Sequence, residues 1–458
     1  MRFFPLVFFI ALLISLLSMR WLQEAKRQNV ALLLASYLFY AWWDWRFLFL
    51  LVLTSVTVWQ AAKHLHDSRV ALPVGLGIPL LSLGVCKYLN FFLDSFYAMI
   101  GSAPSHTWSL MLPLGISFYT FLAISYLLDV YHGKIPFEEN FLIVALYIGF
   151  FPTVVSGPIT KAQNLIGQFH EARAIRWENL QIGIQLFIMG CLKKSVLADR
   201  IGVLVDDVYG APLAFDSSTV WLAVIGYSLQ LYFDFSGYSD MAIGCARCLG
   251  FTLSENFNLP YIAENISEFW KRWHISLSSW FQEYLYIPLG GSRSGLLKTY
   301  RNLLVTMLVC GLWHGAAWNF VLWGLIHGCL LCLYHLYASS LGKSVQLPKM
   351  LGIGVTYLSV AFCWVFFRGT DMQNITDIFY RLFVWESFGV HQMYVYAWLS
   401  IILLIAVSLY SARRNNRNGL IPNMDIRKPS RFFILWLEIF VLLGLMYTGN
   451  NPFVYASF

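Results

Sequence analysis

Apolar runs about as long as a bilayer is thick recur along almost the whole 458-residue chain. A helix rises 1.5 Å per residue, so about 20 apolar residues carry it through a hydrocarbon core of roughly 30 Å. Such runs cover 3–19, 29–43, 46–62, 72–100, 108–131, 140–158, 179–197, 218–235, 302–313 with 316–338, 350–368, 393–411 and 432–448. Backbone groups in hydrocarbon have no water to bond, so runs of this length fold as helices. The expectation is an all-α polytopic integral membrane protein with roughly 11–13 transmembrane helices. Only 12% of residues are charged, against about 25% in soluble domains. No long polar linker interrupts the apolar segments, so residues 1–458 read as one membrane domain.

The net charge of +7 does not point to nucleic acid. Lys and Arg gather in short loops at 20–27, 63–69, 161–176, 193–200, 271–301 and 412–431, the positive-inside pattern. The last loop carries Arg413, Arg414, Arg417, Arg427, Lys428 and Arg431 against one acid, which assigns it to the cytoplasm. Counting spans backwards puts 271–301 on the same side and the C-terminus outside. The N-terminal run has no clear small-x-small cleavage site and reads as a retained helix with its N-terminus outside. The pairs Cys245/Cys248 and Cys329/Cys332 have metal-like spacing, but the second lies in an apolar run, where free Cys behaves as a small hydrophobe. No metal site is expected.

Two stretches interrupt the apolar pattern. FPTVVSGPIT has two prolines and a glycine and breaks a helix. YFDFSGYSDMAIG places Asp234 and Asp240 in apolar surroundings. Irregular backbone at membrane depth is tolerated only where it is buried in protein or lines a cavity.

The working centre is 265–328. Asn265 followed by Glu268 is a capping-box variant. Trp270, Trp273, His274, Leu277, Trp280, Phe281 and Tyr284 then share one helix face, which predicts an amphipathic helix at the interface, ended by Pro288, Gly290 and Gly291. His314 lies between Gly311 and Gly315, beside Trp313 and Trp318, with a second GxxxG at Gly324 and Gly328. Such pairs let helices approach closely, so His314 is expected inside protein, where desolvation favours neutral imidazole. Neutral imidazole can take a proton from a hydroxyl. The span 302–313 is only about 18 Å of helix, which would hold His314 at membrane depth. His327, read on the same helix, would point elsewhere. Both histidines also admit a plain structural reading, as hydrogen-bonded core residues. Lys271, Arg272, Arg293, Lys298 and Arg301 satisfy the positive-inside rule and would also suit an anionic, phosphate-bearing substrate.

On WKRWHISLSSWFQEYLYIPLGG and GLWHGAAWNFVLWGLIHG the chain resembles the membrane-bound O-acyltransferase family, and within it the bacterial branch of alginate and peptidoglycan O-acetyltransferases and the D-alanyl transfer protein of teichoic acid synthesis. YAWWDWRFL, FPTVVSGPI and YFDFSGYSDMAIG support the resemblance, which runs from about Leu32 to the C-terminus. It implies a ring of tilted helices around a thin, tunnelled core in the bacterial inner membrane, with the catalytic core over about 140–370. It also implies His314 as the catalytic histidine and His274 as the second functional one. The donor would be cytoplasmic acetyl-CoA, a substrate rather than a bound cofactor. The acceptor side would involve a periplasmic or membrane-anchored partner resembling an SGNH hydrolase. Trp273, Lys271, Arg272, Trp313, Asp234, Asp240 and Arg293 are the candidate substrate-binding residues. D-alanyl transfer is the competing chemistry, and a transporter or flippase of an acyl or lipid-linked substrate is the competing class.

Overall fold

The computed structural model describes residues 4–102, 108, 111–293, 295–340, 347–391, 398–403, 406, 427–447 and 449. Most of the expected span over 393–411, most of the basic loop over 412–431 and all but one residue of the GNNPFVYASF tail lie outside them. The described residues are helical, with one isolated bridge between Phe215 and Val390. Five helices among them are long and apolar enough to cross a membrane: Trp45–Lys63, Ala71–Met99, Trp177–Gly210, Trp318–Ser340 and Lys349–Arg368. The protein is a multi-pass membrane protein. By contacts the chain forms two compact units.

The first unit comprises Met1–Phe187 and Met241–Ser254. It contains α1 (Phe4–Trp21), α2 (Ala25–Trp43), α3 (Trp45–Lys63), α4 (Ala71–Met99), α5 (Ile116–Tyr131), α6 (Phe141–Gly149) and α7 (Ala162–Phe169). Asp44 separates α2 from α3 and caps α3, its carboxylate accepting the Arg46 N–H at 3.0 Å. Nearly every residue of α5 is buried, as befits a helix that is apolar all round. The FPTVVSGPIT break falls where expected: α6 stops at Gly149, and residues 150–160 form buried turns. The Phe151 N–H donates to Ser36 Oγ at 3.1 Å. Gly115, at φ 70°, lies so close that a Cβ would sit 2.1 Å from the Val154 carbonyl oxygen.

Helices α8 (Trp177–Gly210) and α9 (Ser217–Cys248) contribute to both units. Two expectations change here. The basic segment 193–200 is not a loop but lies inside α8, across a π-turn over Leu192–Ala198. YFDFSGYSDMAIG does not interrupt α9, which runs unbroken for 32 residues. The cause is the same in both cases. Lys193 pairs with Asp240 at 2.6 Å and Lys194 with Asp234 at 2.5 Å, across to α9, and Lys194 also pairs with Asp199 of α8 at 2.8 Å, so the charges neutralise one another. Gly237 permits the approach: a Cβ there would lie 2.7 Å from the Gly190 carbonyl oxygen. Breaking a buried pair on one side costs about 3–5 kcal/mol. Asp240→Asn should therefore lower the thermal midpoint in detergent sharply, and Lys193→Met combined with Asp240→Leu should recover most of it. An unchanged midpoint for Asp240→Asn would show that the pair carries no weight.

The second unit comprises Ile188–Asp240 and Glu255–Phe458. Among the described residues it also holds α10 (Ile266–Arg272), α11 (Ile275–Phe281), α12 (Leu296–His314), α13 (Trp318–Ser340), α14 (Lys349–Arg368), α15 (Met372–Phe383) and α16 (Pro429–Leu445), with further helical residues at 398–403. The expected cap forms as a variant of the capping box: Asn265 Oδ1 accepts the Glu268 N–H at 2.9 Å, and the Glu268 carboxylate accepts the N–H of Glu264, one residue before the N-cap, at 2.9 Å. The single amphipathic helix expected beyond it is instead two, α10 and α11, parted at Trp273 and His274. The α12 helix begins at Leu296, not Asn302, and its 19 residues span about 28 Å. Lys298 and Arg301 lie exposed within its first turns, where long basic side chains extend outward without ending a helix. Helix shortness therefore does not fix the depth of His314.

Candidate active site

The α12–α13 hairpin brings the histidine motif together. A Cβ on Gly311 would lie 2.2 Å from the Phe320 carbonyl oxygen, and one on Gly324 would lie 2.3 Å from that of Met307. The expected close approach is thus made, between these two helices. At the turn end of the hairpin α12 terminates on His314, which is 3% exposed. Gly315 continues in extended conformation, and a Cβ on it would strike the Phe320 ring at 2.1 Å. The His314 imidazole is walled by the rings of Trp313, Trp323 and Phe367 at 4.9, 5.0 and 5.2 Å between centroids.

His274 occupies the joint between α10 and α11 at φ 44°, ψ 54°. A residue with a Cβ holds this left-handed conformation at a cost of about 1–2 kcal/mol, and such outliers cluster at functional sites. At this turn the imidazole is 0% exposed. It stands edge-on to Phe235 of α9 at 4.6 Å and 6.1 Å from Trp313. Trp313 therefore has both candidate imidazoles as neighbours.

Asn256 fixes the chemistry of His274. Asn256 Oδ1 accepts from the Ser276 N–H at 3.3 Å and from the Ser276 hydroxyl at 2.8 Å, while Nδ2 donates to Ser239 Oγ at 3.0 Å. A backbone N–H only donates, which settles which amide atom is the oxygen. His274 Nδ1, 3.0 Å from that oxygen, must carry the proton, and Nε2 is the acceptor nitrogen. Burial pushes the His274 pKa down to about 3, so the ring is neutral at ordinary pH. Asn256→Leu would strand the His274 and Ser276 donors, each unsatisfied buried group costing about 1–3 kcal/mol. We expect a lower thermal midpoint and weakened acyl transfer, with Asn256→Asp, which keeps the acceptor oxygen, retaining more of both. Equal activity in the Leu variant and the parent protein would remove Asn256 from the site.

The other candidates divide. Trp273, 1% exposed, packs against Phe269 at 5.7 Å and Trp364 at 5.0 Å, holding α10 in the unit's core. Arg272 is committed to Glu268 at 2.7 Å and the Asn258 carbonyl at 3.1 Å. Asp234 and Asp240 face the α8 lysines, while Phe235 and Ser239 between them face His274 and Asn256. Lys271 is exposed and lines a cavity of about 310 Å³ together with Trp270, Tyr286, Ser292, Cys310 and His335. Arg293 is exposed beside Ser292. Cys310 lies one turn before His314 on α12, so the cavity approaches the histidines from that side. His327 is not on the His314 helix but on α13, fully buried, with its ring 4.7 Å from Trp323. Among the described residues no group of three or more His, Cys, Asp or Glu could hold a metal. Asn256, Ser239, Lys193 and Lys194 are the contributors that local pattern does not reveal.

A multi-pass membrane protein thus buries two imidazoles on either side of one indole, next to a cavity. The chain belongs to the MBOAT, membrane-bound O-acyltransferase, family, whose model matches residues 8–340, and it is an O-acyltransferase. It is 36% identical to the probable alginate O-acetylase AlgI of Pseudomonas putida, over 99% of each chain. It is 36% identical to the peptidoglycan O-acetyltransferase of Helicobacter pylori, over 76% of this chain and 72% of that protein. The teichoic acid D-alanyltransferase of Bacillus subtilis is 26% identical, over 69% of this chain and 85% of that protein.

Proposed function

We propose that the protein moves an acetyl group from cytoplasmic acetyl-CoA across the bacterial inner membrane for O-acetylation of an extracytoplasmic polysaccharide, alginate-like or peptidoglycan. A periplasmic or membrane-anchored SGNH-hydrolase-like partner completes the transfer, and the C-terminus is periplasmic. The full-length similarity to an alginate O-acetylase supports the acetyl chemistry and the polymer class. The observation that carries the site is the pair His274 and His314 flanking Trp313, one of them with its tautomer fixed by Asn256.

His314 acts as general base. It takes the proton of the acceptor hydroxyl as that oxygen bonds to the acetyl carbonyl carbon. The C–S bond then breaks, and the proton passes to the departing thiolate, giving CoA–SH. His274 presents an acceptor nitrogen, so its role is to receive a hydrogen bond from donor or acceptor and hold it in place; an oxyanion requires donors. Lys271 in the cavity wall, with Arg293 next in sequence to Ser292 of that wall, offers positive charge to the CoA phosphates. The test is mass spectrometry of envelope and secreted polysaccharide from cells with and without the protein. Loss of O-acetyl groups supports the reading. Unchanged acetylation with lost D-alanyl esters would replace acetyl-CoA with a carrier-bound D-alanyl donor.

A further inference from the structure

We propose that His327, together with the indoles of Trp323 and Trp270, forms the donor set that holds the carbonyl oxygen of the acyl thioester and receives its charge in the transition state. This rests on the acyl-transfer reading above and adds the group that His274, as an acceptor, cannot supply.

The three rings touch one another. Centroids are 4.7 Å apart for Trp323 and His327, 5.1 Å for Trp270 and His327, and 5.8 Å for Trp270 and Trp323. His327 and Trp323 are 0% exposed and Trp270 is 9% exposed. Among the described residues, none of the four nitrogens in this cluster, His327 Nδ1 and Nε2, Trp323 Nε1 and Trp270 Nε1, has a hydrogen-bond partner. One buried orphan polar atom costs about 1–3 kcal/mol, and native structures leave few. Four in three adjoining rings mark a place where a polar partner comes and goes. A residue chosen for packing alone would be phenylalanine or leucine.

The position of the cluster says what that partner is. Trp270 also lines the 310 Å³ cavity with Lys271, and Trp323 also stands edge-on to His314 at 5.0 Å. The three rings thus bridge the space available to a donor and the candidate base. Indole N–H groups only donate, and neutral imidazole donates through one nitrogen, so the cluster offers donors to an oxygen. In the step, the hydroxyl proton goes to His314 as the new C–O bond forms, and the carbonyl π pair moves onto oxygen, where the N–H groups meet it. Return of that pair breaks the C–S bond and expels the thiolate, which takes the proton.

The test compares His327→Phe and His327→Gln with the parent protein in inverted membrane vesicles from cells that make the polysaccharide, with the rest of the acetylation machinery present, using labelled acetyl-CoA as donor and reading CoA release and label in the polysaccharide. Loss of one oxyanion donor typically lowers kcat about 10²–10³-fold. His327→Phe should show that fall with the KM for acetyl-CoA nearly unchanged and a thermal midpoint equal or higher, because an apolar ring replaces orphan nitrogens. His327→Gln, which restores an N–H, should recover part of kcat. Full activity in His327→Phe would overturn the proposal and leave the nitrogens to an ordered water. A fall in activity matched by a fall in thermal midpoint in both variants would assign His327 to packing, which also overturns it. Absence of transfer by the parent protein would instead defeat the acetyl-CoA reading on which the proposal stands.

Discussion

His314→Ala is expected to lower acyl transfer by about 10²–10⁴-fold, the usual worth of a positioned general base, while the protein still accumulates in the membrane. The prediction follows from where the side chain sits. His314 is the last residue of α12, held there by Gly315 leaving the helix in extended conformation against the Phe320 ring. Its neighbours Trp313, Trp323 and Phe367 also contact other rings: Trp323 stacks on Trp364 at 5.7 Å, and Phe367 packs on Phe320 at 5.1 Å. The wall therefore stands without the imidazole, and truncation removes a proton acceptor with limited damage to packing. His314→Gln, which keeps polarity and bulk but not imidazole basicity, should be nearly as inactive. Retained transfer in both variants would make His314 a core histidine.

Gly311→Ala should be as damaging to activity by a different route, and should also lower the thermal midpoint. The new methyl group would lie 2.2 Å from the Phe320 carbonyl oxygen and 3.2 Å from Gly324 Cα. These are backbone atoms, which cannot turn aside as a side-chain tip can. Overpacking of this kind costs about 1–3 kcal/mol or more, relieved only by prising α12 from α13. His314 is one turn further along and moves with the helix end. Gly354→Ala on α14 is the control: a Cβ there meets nothing within 4 Å, so helix propensity should leave stability unchanged or raised by up to about 1 kcal/mol. The two experiments are complementary, since His314→Ala separates activity from stability and Gly311→Ala couples them. Wild-type activity and stability in Gly311→Ala would mean that the hairpin does not close through its glycines.

Features encoded locally were legible in the sequence. The Asn265–Glu268 cap, the break at FPTVVSGPIT and the close approach through Gly311 and Gly324 each depend on residues a few positions apart or on one residue's steric property. Features that depend on distant partners were not. Asn256 sets the His274 tautomer from 18 residues upstream, in an irregular segment with no period to betray it. Lys193 and Lys194 looked like a loop because cations near apolar runs usually are. Asp240 and Asp234 lie on another helix, 40 or more residues away in sequence, and their pairing, joined by Asp199 of α8 itself, keeps the lysines inside α8. The break at His274 escaped because the hydrophobic spacing runs straight through it, and a left-handed residue with a Cβ is imposed by surrounding packing. His327 reads in sequence as part of the His314 helix because the turn at 315–317 is short. Once α12 and α13 fold back on each other, the two imidazoles share Trp323.

The central claim is that buried imidazole chemistry transfers an acyl group from a thioester. Purified protein in proteoliposomes, given labelled acetyl-CoA, tests it most directly. The account predicts that free CoA appears with transfer of label to an acceptor hydroxyl, and that both are lost in His314→Ala. Movement of an acyl or lipid-linked substrate across the bilayer with no CoA released, and equally well by His314→Ala, would contradict it.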